Sequence, residues 1–152
     1  MKRVNWIFMT AICLLSVMAL SFSGCSDDDE VSMSNSDLVG TWQLVRYHYQ
    51  WKENGKVVEE GDEEDDSVML RFEEDKTCYS AEHYNGKWNW SHKGSWNYKG
   101  GKIEVFANGE SEFATVKTLT SSKLIIESVD KYTEDGISYE DYALEEYRKV
   151  ND

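Results

Sequence analysis

Apolar and polar side chains alternate along the middle of the chain with a period of two, which is the spacing of a half-buried β-strand. Val68, Leu70 and Phe72 alternate with Met69 and Arg71. A longer run places Trp88, Trp90, His92, Gly94, Trp96 and Tyr98 on one face. Because successive strand side chains point to opposite faces, each run predicts one strand with an apolar face turned toward a core.

Short turn sequences separate these runs at regular intervals. They are Asn54-Gly55, Asn85-Gly86, Gly100-Gly101, Asn108-Gly109 and Asp135-Gly136. Asn-Gly and Asp-Gly favour the tight turns of β-hairpins, because both central residues need a positive φ. Evenly spaced short strands joined in this way are typical of an antiparallel sandwich or barrel. The pattern therefore predicts an all-β protein.

The turn lengths predict how the strands pair. A four-residue turn between the first two of these strands would set Leu70 opposite Tyr79, and the two-residue turn at Asn85-Gly86 would set His83 opposite Trp88. We therefore expect one inward face that carries the candidate ligand-binding side chains. These are Tyr79, His83, Trp88, Trp90, His92, Trp96 and Tyr98.

The pairing is less regular toward the end of the chain. The turn at Gly100-Gly101 would carry Trp96 to Val105, but Val116 falls out of phase with the next apolar residues, which indicates a bulge. For the last strand we expect bounds near 138 and 150, with Tyr142 and Leu144 pointing inward.

The first 24 residues have the composition of an export signal. Lys2 and Arg3 precede the apolar stretch Trp6 to Leu20, and small residues follow. A basic start, a short apolar run and a small-residue cleavage site predict a secretory signal peptide. The apolar run is shorter than the ~20 residues that span a bilayer, so a permanent membrane helix is the weaker interpretation.

Phe22-Ser23-Gly24-Cys25 resembles the lipobox of bacterial lipoproteins. In that family the cysteine sulfur receives a diacylglycerol, the chain is cut before it, and the new amino terminus is acylated. The resemblance implies a lipid anchor on Cys25, and two or more acyl chains are enough for stable membrane attachment. The alternative is an ordinary signal peptide with an incidental cysteine.

Residues 25–37 then form an acidic, serine-rich tether, which includes Asp27, Asp28 and Asp29. A serine and acidic run at this place resembles the signal that exports some lipoproteins to the outer face of the outer membrane. It implies display at the cell surface, with the periplasmic face as the alternative.

Charge narrows the classes of partner. The chain has 29 acidic and 16 basic residues and a formal charge of −13. Such a protein repels nucleic acid and anionic lipid. We therefore expect it to attach to a membrane only through the lipid on Cys25. We expect a monomer.

The first strand begins Gly40-Thr41-Trp42, and Gly-x-Trp at this place resembles the signature of lipocalins and related calycins. In that family the tryptophan plugs the closed end of a barrel, and an arginine from the last strand packs across it. Arg148 stands where that arginine would be. Segments around Leu70, Gly94 and Leu119 resemble bacterial lipocalin-like lipoproteins as well. The resemblance covers residues 38–150 and implies an up-and-down barrel of about eight strands, large enough for one small ligand.

Two classes of function remain open. The first is a membrane-anchored module that binds a small, partly apolar molecule inside the barrel. The alternative is a surface protein that binds a glycan or a protein with its outer face, while the barrel interior is only core. Tyr49 and Trp51 would favour this alternative if they were exposed.

Catalysis and cofactor binding are not indicated. No constellation of serine, histidine and acid stands out, and no phosphate-binding loop is present. The acidic run Glu59 to Asp66 raises a calcium hypothesis, but it lacks the spacing of a known calcium loop, and a solvated loop at the barrel mouth is expected instead. We therefore predict neither an enzyme nor a metal or cofactor site.

Overall fold

A computed structural model describes residues 34–151. This part of the chain forms one short helix and nine strands. Their bounds are α1 Asn35–Leu38, β1 Gly40–Glu53, β2 Lys56–Glu63, β3 Val68–Phe72, β4 Thr77–Tyr84, β5 Lys87–Lys99, β6 Lys102–Ala107, β7 Glu110–Leu119, β8 Lys123–Glu134 and β9 Ile137–Val150. The predicted signal peptide, Cys25 and most of the tether lie outside the described residues.

The strands close into an antiparallel barrel. Each of the strands from β3 to β8 pairs with the next one along the chain. β9 then pairs back onto β1, and the first residues of β1 pair with β3. Those eight strands complete the barrel. β2 is an additional strand that pairs with the second half of β1. The expected all-β, lipocalin-like barrel is confirmed. Within residues 34–151 no helix is long and apolar enough to cross a membrane.

One end of the barrel is closed by packed apolar side chains. Trp42 and Leu124 are fully buried, and Phe72 meets Trp96 edge to face with ring centroids 5.3 Å apart. The indole Nε1 of Trp42 donates a hydrogen bond to the Leu38 carbonyl at 2.8 Å, which ties α1 to this end. We call this the closed half of the barrel. Its burial fits the expected place of Trp42.

The predicted partner of Trp42 was wrong. Arg148 points outward, where its Nη2 donates to Gln43 Oε1 at 2.8 Å. The cation at the tryptophan is Lys149, whose Nζ lies 4.9 Å from the centre of the Trp42 ring. Since neighbours along a strand face opposite sides, only one of the two residues can share the inward face with Trp42. Trp42 pairs directly with Lys149, so Lys149 shares the inward face and Arg148 does not.

The predicted pairing of β3 with β4 was wrong by one residue. Leu70 lies opposite Ser80 rather than Tyr79. The turn is longer than expected, because Lys76 adopts a positive φ of 71° and the Glu73 N–H bonds to the Thr77 carbonyl at 2.9 Å. A turn that ends in a left-handed residue adds one position to the loop. Tyr79 therefore faces outward and pairs with Arg71.

A β-bulge divides the regular pattern of β5 into two halves. His83 lies opposite Trp88 as predicted, but the register shifts where Tyr79 pairs with His92 and Cys78 pairs with Gly94. Lys93 is the extra residue, so the inward face changes phase at this point. Gly94 lies so close to Phe106 that an added Cβ would be 2.1 Å from the Phe106 carbonyl oxygen.

Toward the end of the chain the predictions were partly right. Trp96 lies opposite Val105, and the register shift after Val116 confirms the predicted bulge. The last strand was placed correctly within one residue, but its inward face was not. Tyr147 is buried and pairs with Leu44, so the inward residues of β9 have odd numbers and Tyr142 and Leu144 face outward.

Candidate functional site: the open half of the barrel

Aromatic rings line the interior of the barrel at the end opposite α1, which we call the open half. They come from β1, β8 and β9 and are half-buried or exposed. The rings are those of Tyr47, Tyr49, Trp51, Tyr132 and Tyr139. Tyr47 stacks on Tyr49 at 5.4 Å, and Tyr139 stacks on both Trp51 at 6.1 Å and Tyr132 at 5.0 Å. The two stacks line one wall of the interior, and their rings remain accessible.

A bulge in β1 turns these rings inward. Trp42 and Leu44 occupy even positions of the inward face, but the register against β9 shifts between Leu44 and Arg46. Beyond the shift, Tyr47 pairs with Glu145 on the inward side. This inward face was not predicted, although the sequence carries a signal for it, since the large apolar residues of the segment change from even to odd numbers after Leu44.

Carboxylates share the open half with the rings. Burial raises the pKa of Glu145, whose carboxylate accepts a hydrogen bond from the Tyr147 hydroxyl at 2.8 Å. Burial and the neighbouring Asp130 raise the pKa of Asp141, which lies directly opposite Asp130 in the register. Burial is also the main cause of the raised pKa of Glu112. Groups that resist ionisation inside a concave site mark it as a candidate functional site.

The environment of Tyr47 joins the rings to the acids. Burial raises the pKa of its hydroxyl to about 12, and the charges of Glu145, Glu63 and Asp141 add to this effect. Lys93, the extra residue of the β5 bulge, adds a positive charge beside Glu112. This charge lowers the pKa of Glu112 against the effect of burial. The open half thus combines apolar ring faces with hydrogen-bond acceptors.

The residues that were expected to line the barrel interior separate into two groups. Trp96 and Tyr98 face inward as expected but belong to the closed half, where Trp96 is 2% exposed and its Nε1 donates to the Glu73 carbonyl. The other five were placed wrongly, because the longer turn and the β5 bulge move them to the outside of the barrel. These five are Tyr79, His83, Trp88, Trp90 and His92.

Tyr49 and Trp51 were considered as exposed aromatics, yet both belong to the interior wall. The Tyr49 ring crosses Gly61 of β2, where an added Cβ would meet its ring carbon Cε1 at 2.8 Å. Its hydroxyl lies 3.3 Å from Glu59 Oε1. The condition that would have favoured the alternative function, exposure of Tyr49 and Trp51 on the outer face, is therefore not met.

Other candidate chemistry is limited. The acidic run expected to be a loop begins within β2, which includes Glu59 to Glu63. No group of three or more His, Cys, Asp or Glu side chains within residues 34–151 is placed to hold a metal ion. Cys78 is buried, and burial raises the pKa of its thiol to about 11, so its reactive thiolate form is disfavoured.

Two solved structures similar to this chain are of bovine odorant-binding protein. For a deswapped triple mutant the identity is 18% and the TM-score 0.42, with 77% of this chain and 76% of that chain covered. For a complex with undecanal the identity is also 18% and the TM-score 0.42, with 82% and 79% covered. No curated protein sequence matches this chain.

The family comparison is more direct. The model of the lipocalin-like domain matches residues 38–126, from the end of α1 into β8. This match includes Trp42 and the whole of β1 to β7. Because it covers more than half of the chain, this chain belongs to the lipocalin-like domain family.

Proposed function

We propose that this protein binds a small, partly apolar molecule in the open half of its barrel and does not act as a catalyst. The observation that carries the proposal is the wall of stacked rings formed by Tyr47, Tyr49, Trp51, Tyr132 and Tyr139. Ligand sites are concave and mostly apolar, with a few polar groups that fix orientation. Rings that only filled a core would be buried like Trp42, whereas Tyr132 is 41% exposed.

The polar groups beside this wall favour one kind of ligand. The carboxylates of Glu145, Asp141 and Glu112 accept hydrogen bonds when they are ionised, and Lys93 offsets part of the charge at Glu112. A ligand with a protonated amine or several hydrogen-bond donors would satisfy them, and its apolar part would contact the rings. A carboxylate-bearing ligand would be repelled.

A titration with three aromatic probes tests the proposal. The probes share one fluorescent ring system and carry an ammonium group, no charge or a carboxylate. We expect saturable binding in the order cationic, neutral, anionic, as measured by probe fluorescence. Trp51→Ala should weaken binding of the cationic probe by about tenfold, because a large contact surface is lost.

Trp90→Ala is the matched control, since Trp90 lies on the outside of the barrel and should leave probe binding unchanged. Equal weakening by both substitutions, or no saturable binding of any probe, would contradict a site in the open half.

We propose further that the barrel is held at a membrane by a lipid on Cys25, at the outer surface of the outer membrane, and that it is monomeric. The lipobox-like ending at Cys25 and the acidic tether support this address. A palmitate analogue should label the protein in cells, and Cys25→Ala should abolish labelling. Cys78→Ala is the control, because the Cys78 thiol is buried and should not contribute.

Surface display has its own test. Replacing Asp27, Asp28 and Asp29 by alanine should reduce digestion of the protein by protease added to intact cells. Unchanged digestion would remove the sorting role of the acidic run without affecting the ligand proposal.

A further inference from the structure

A row of aromatic and basic side chains crosses the outside of β3, β4 and β5. We call it the outer stripe, and it consists of Arg71, Tyr79, His83, Trp88, Trp90 and His92. The stripe is separate from the open half, because its members share the strand face opposite to the buried core.

Contacts within the outer stripe hold its side chains in place. The guanidinium carbon of Arg71 lies 4.1 Å from the centre of the Trp90 ring and 5.6 Å from that of Tyr79. The Tyr79 ring meets His92 at 5.4 Å, and His83 meets Trp88 at 5.0 Å. A surface that is already ordered loses little side-chain entropy when a ligand binds.

These rings are not needed to fill the core. Trp90 is 37% exposed, and His83 and His92 are also exposed. Trp88 and Trp90 are two residues apart on one strand face, so their side chains follow each other at roughly 7 Å. Large aromatic side chains grouped on a protein surface mark an interaction site, since leaving them in water has no stabilising effect.

The outer stripe differs in charge from the rest of this acidic protein, since its one formally charged member is Arg71. The chain has 29 acidic and 16 basic residues, yet the six members include no carboxylate. The one ion pair of Arg71 within residues 34–151 joins its Nε to Glu73 Oε1 at 3.5 Å, which leaves its two Nη groups for a ligand. The nearby Asp75 carboxylate is already bonded to the N–H and hydroxyl of Thr77.

We propose that the outer stripe binds an acidic carbohydrate, that is, an oligosaccharide that includes a carboxylate-bearing sugar. The apolar C–H face of a sugar ring stacks on Trp90 or Trp88, and the carboxylate accepts hydrogen bonds from the Nη groups of Arg71. A guanidinium held 4.1 Å from the centre of a ring has restricted freedom, and its paired donors suit a planar carboxylate.

Charge density decides between this ligand and other anions. A nucleic acid carries one negative charge per nucleotide and would meet a single arginine on a strongly acidic protein, so repulsion dominates. A glycan with isolated carboxylates matches one guanidinium surrounded by rings. An extended acidic peptide could not bind by strand addition, because β3 and β4 are paired on both sides.

Binding of defined oligosaccharides to the purified full chain in detergent tests the proposal. The probes are two pairs, sialyllactose with lactose and tetragalacturonic acid with maltotetraose. We expect at least one acidic probe to bind saturably in calorimetry, and its neutral counterpart to bind at least tenfold more weakly. Arg71→Gln and Trp90→Ala should each weaken binding of the acidic probe by about tenfold or more.

Trp51→Ala is the control that separates this site from the open half, and it should leave sugar binding unchanged. Trp90→Phe keeps a stacking ring and should retain most of the affinity, which shows that any loss in Trp90→Ala does not come from misfolding. Three results would overturn the proposal. They are no saturable binding of either acidic probe, equal binding of acidic and neutral probes, or stronger binding of a polyglutamate peptide than of both acidic sugars.

Discussion

The two halves of the barrel are built from the same strands but differ in what they enclose. In the closed half, Trp42 and Leu124 are fully buried among other apolar side chains. In the open half, stacked rings remain accessible, and burial raises the pKa of Glu145 and Asp141. Buried carboxylates do not stabilise a fold unless they are compensated. The comparison indicates that the closed half supplies stability, and it places the proposed ligand in the open half, where the rings are accessible.

The largest expected difference between the halves is in the cost of removing a tryptophan. Trp42→Ala removes a buried ring and the hydrogen bond to Leu38, and should lower the free energy of unfolding by ~3–5 kcal/mol. Trp51→Ala should cost less than ~2 kcal/mol, because its ring is only half-buried. Urea denaturation of both variants measures the difference, and similar losses would remove the distinction between the halves.

The bulge that divides β5 can be tested through Gly94. Its φ is 148° and an added Cβ would clash with the Phe106 backbone, so Gly94→Ala should cost at least ~2 kcal/mol of unfolding free energy. Gly86→Ala is the control, since Gly86 also has a positive φ but open space around it, and should cost ~1 kcal/mol. If Gly94→Ala were tolerated as well as Gly86→Ala, the bulge would be absent and the predicted uniform face of β5 would stand.

The two halves should also differ, by a smaller amount, in how their contribution to folding stability depends on pH. Burial raises the pKa of Glu145 in the folded state, so ionisation of this group lowers stability as the pH rises above the ordinary carboxyl value of 4.5. Below that value the carboxyl is protonated in both the folded and unfolded states, and this cost disappears. Glu145→Gln should therefore raise the melting temperature at pH 7 and have less effect at pH 4.

The control for this prediction is Glu146→Gln. Glu146 faces outward and pairs with Lys123 at 2.7 Å, so its replacement should give no gain at pH 7. A pH-independent effect of Glu145→Gln would contradict the raised pKa.

The smallest expected effect concerns the cation at Trp42. A double-mutant cycle of Lys149→Gln with Trp42→Leu should give a coupling of ~0.5–1 kcal/mol, since the ammonium lies over the ring. The same cycle with Arg148→Gln should be additive within ~0.5 kcal/mol, because Arg148 points to Gln43 on the other face. The opposite pattern would restore Arg148 as the partner of Trp42.

The sequence was sufficient to predict the architecture, because turns and period-two alternation are local properties. The hairpins at Asn85-Gly86 and Gly100-Gly101 were placed correctly, and so was the bulge near Val116.

The candidate site could not be predicted in the same way, because one inserted residue reverses every side chain that follows it. The positive φ of Lys76 reversed the face of Tyr79, and the extra Lys93 separated Trp90 from Trp96. The Lys76 conformation depends on turn geometry that the pattern of apolar residues does not specify. Among the irregularities that were not predicted, the bulge after Leu44 did leave a visible trace, as a change of phase among the large side chains of β1.

The location of the ligand is tested most directly by fluorine NMR of the protein labelled with 5-fluorotryptophan. Substitution of single tryptophans by phenylalanine would assign the resonances, and the cationic aromatic probe would then be titrated into the labelled protein. We predict that the Trp51 resonance moves saturably while the resonances of Trp88 and Trp90 stay in place. Movement of Trp88 and Trp90 with an unchanged Trp51 resonance would contradict a ligand site in the open half of the barrel.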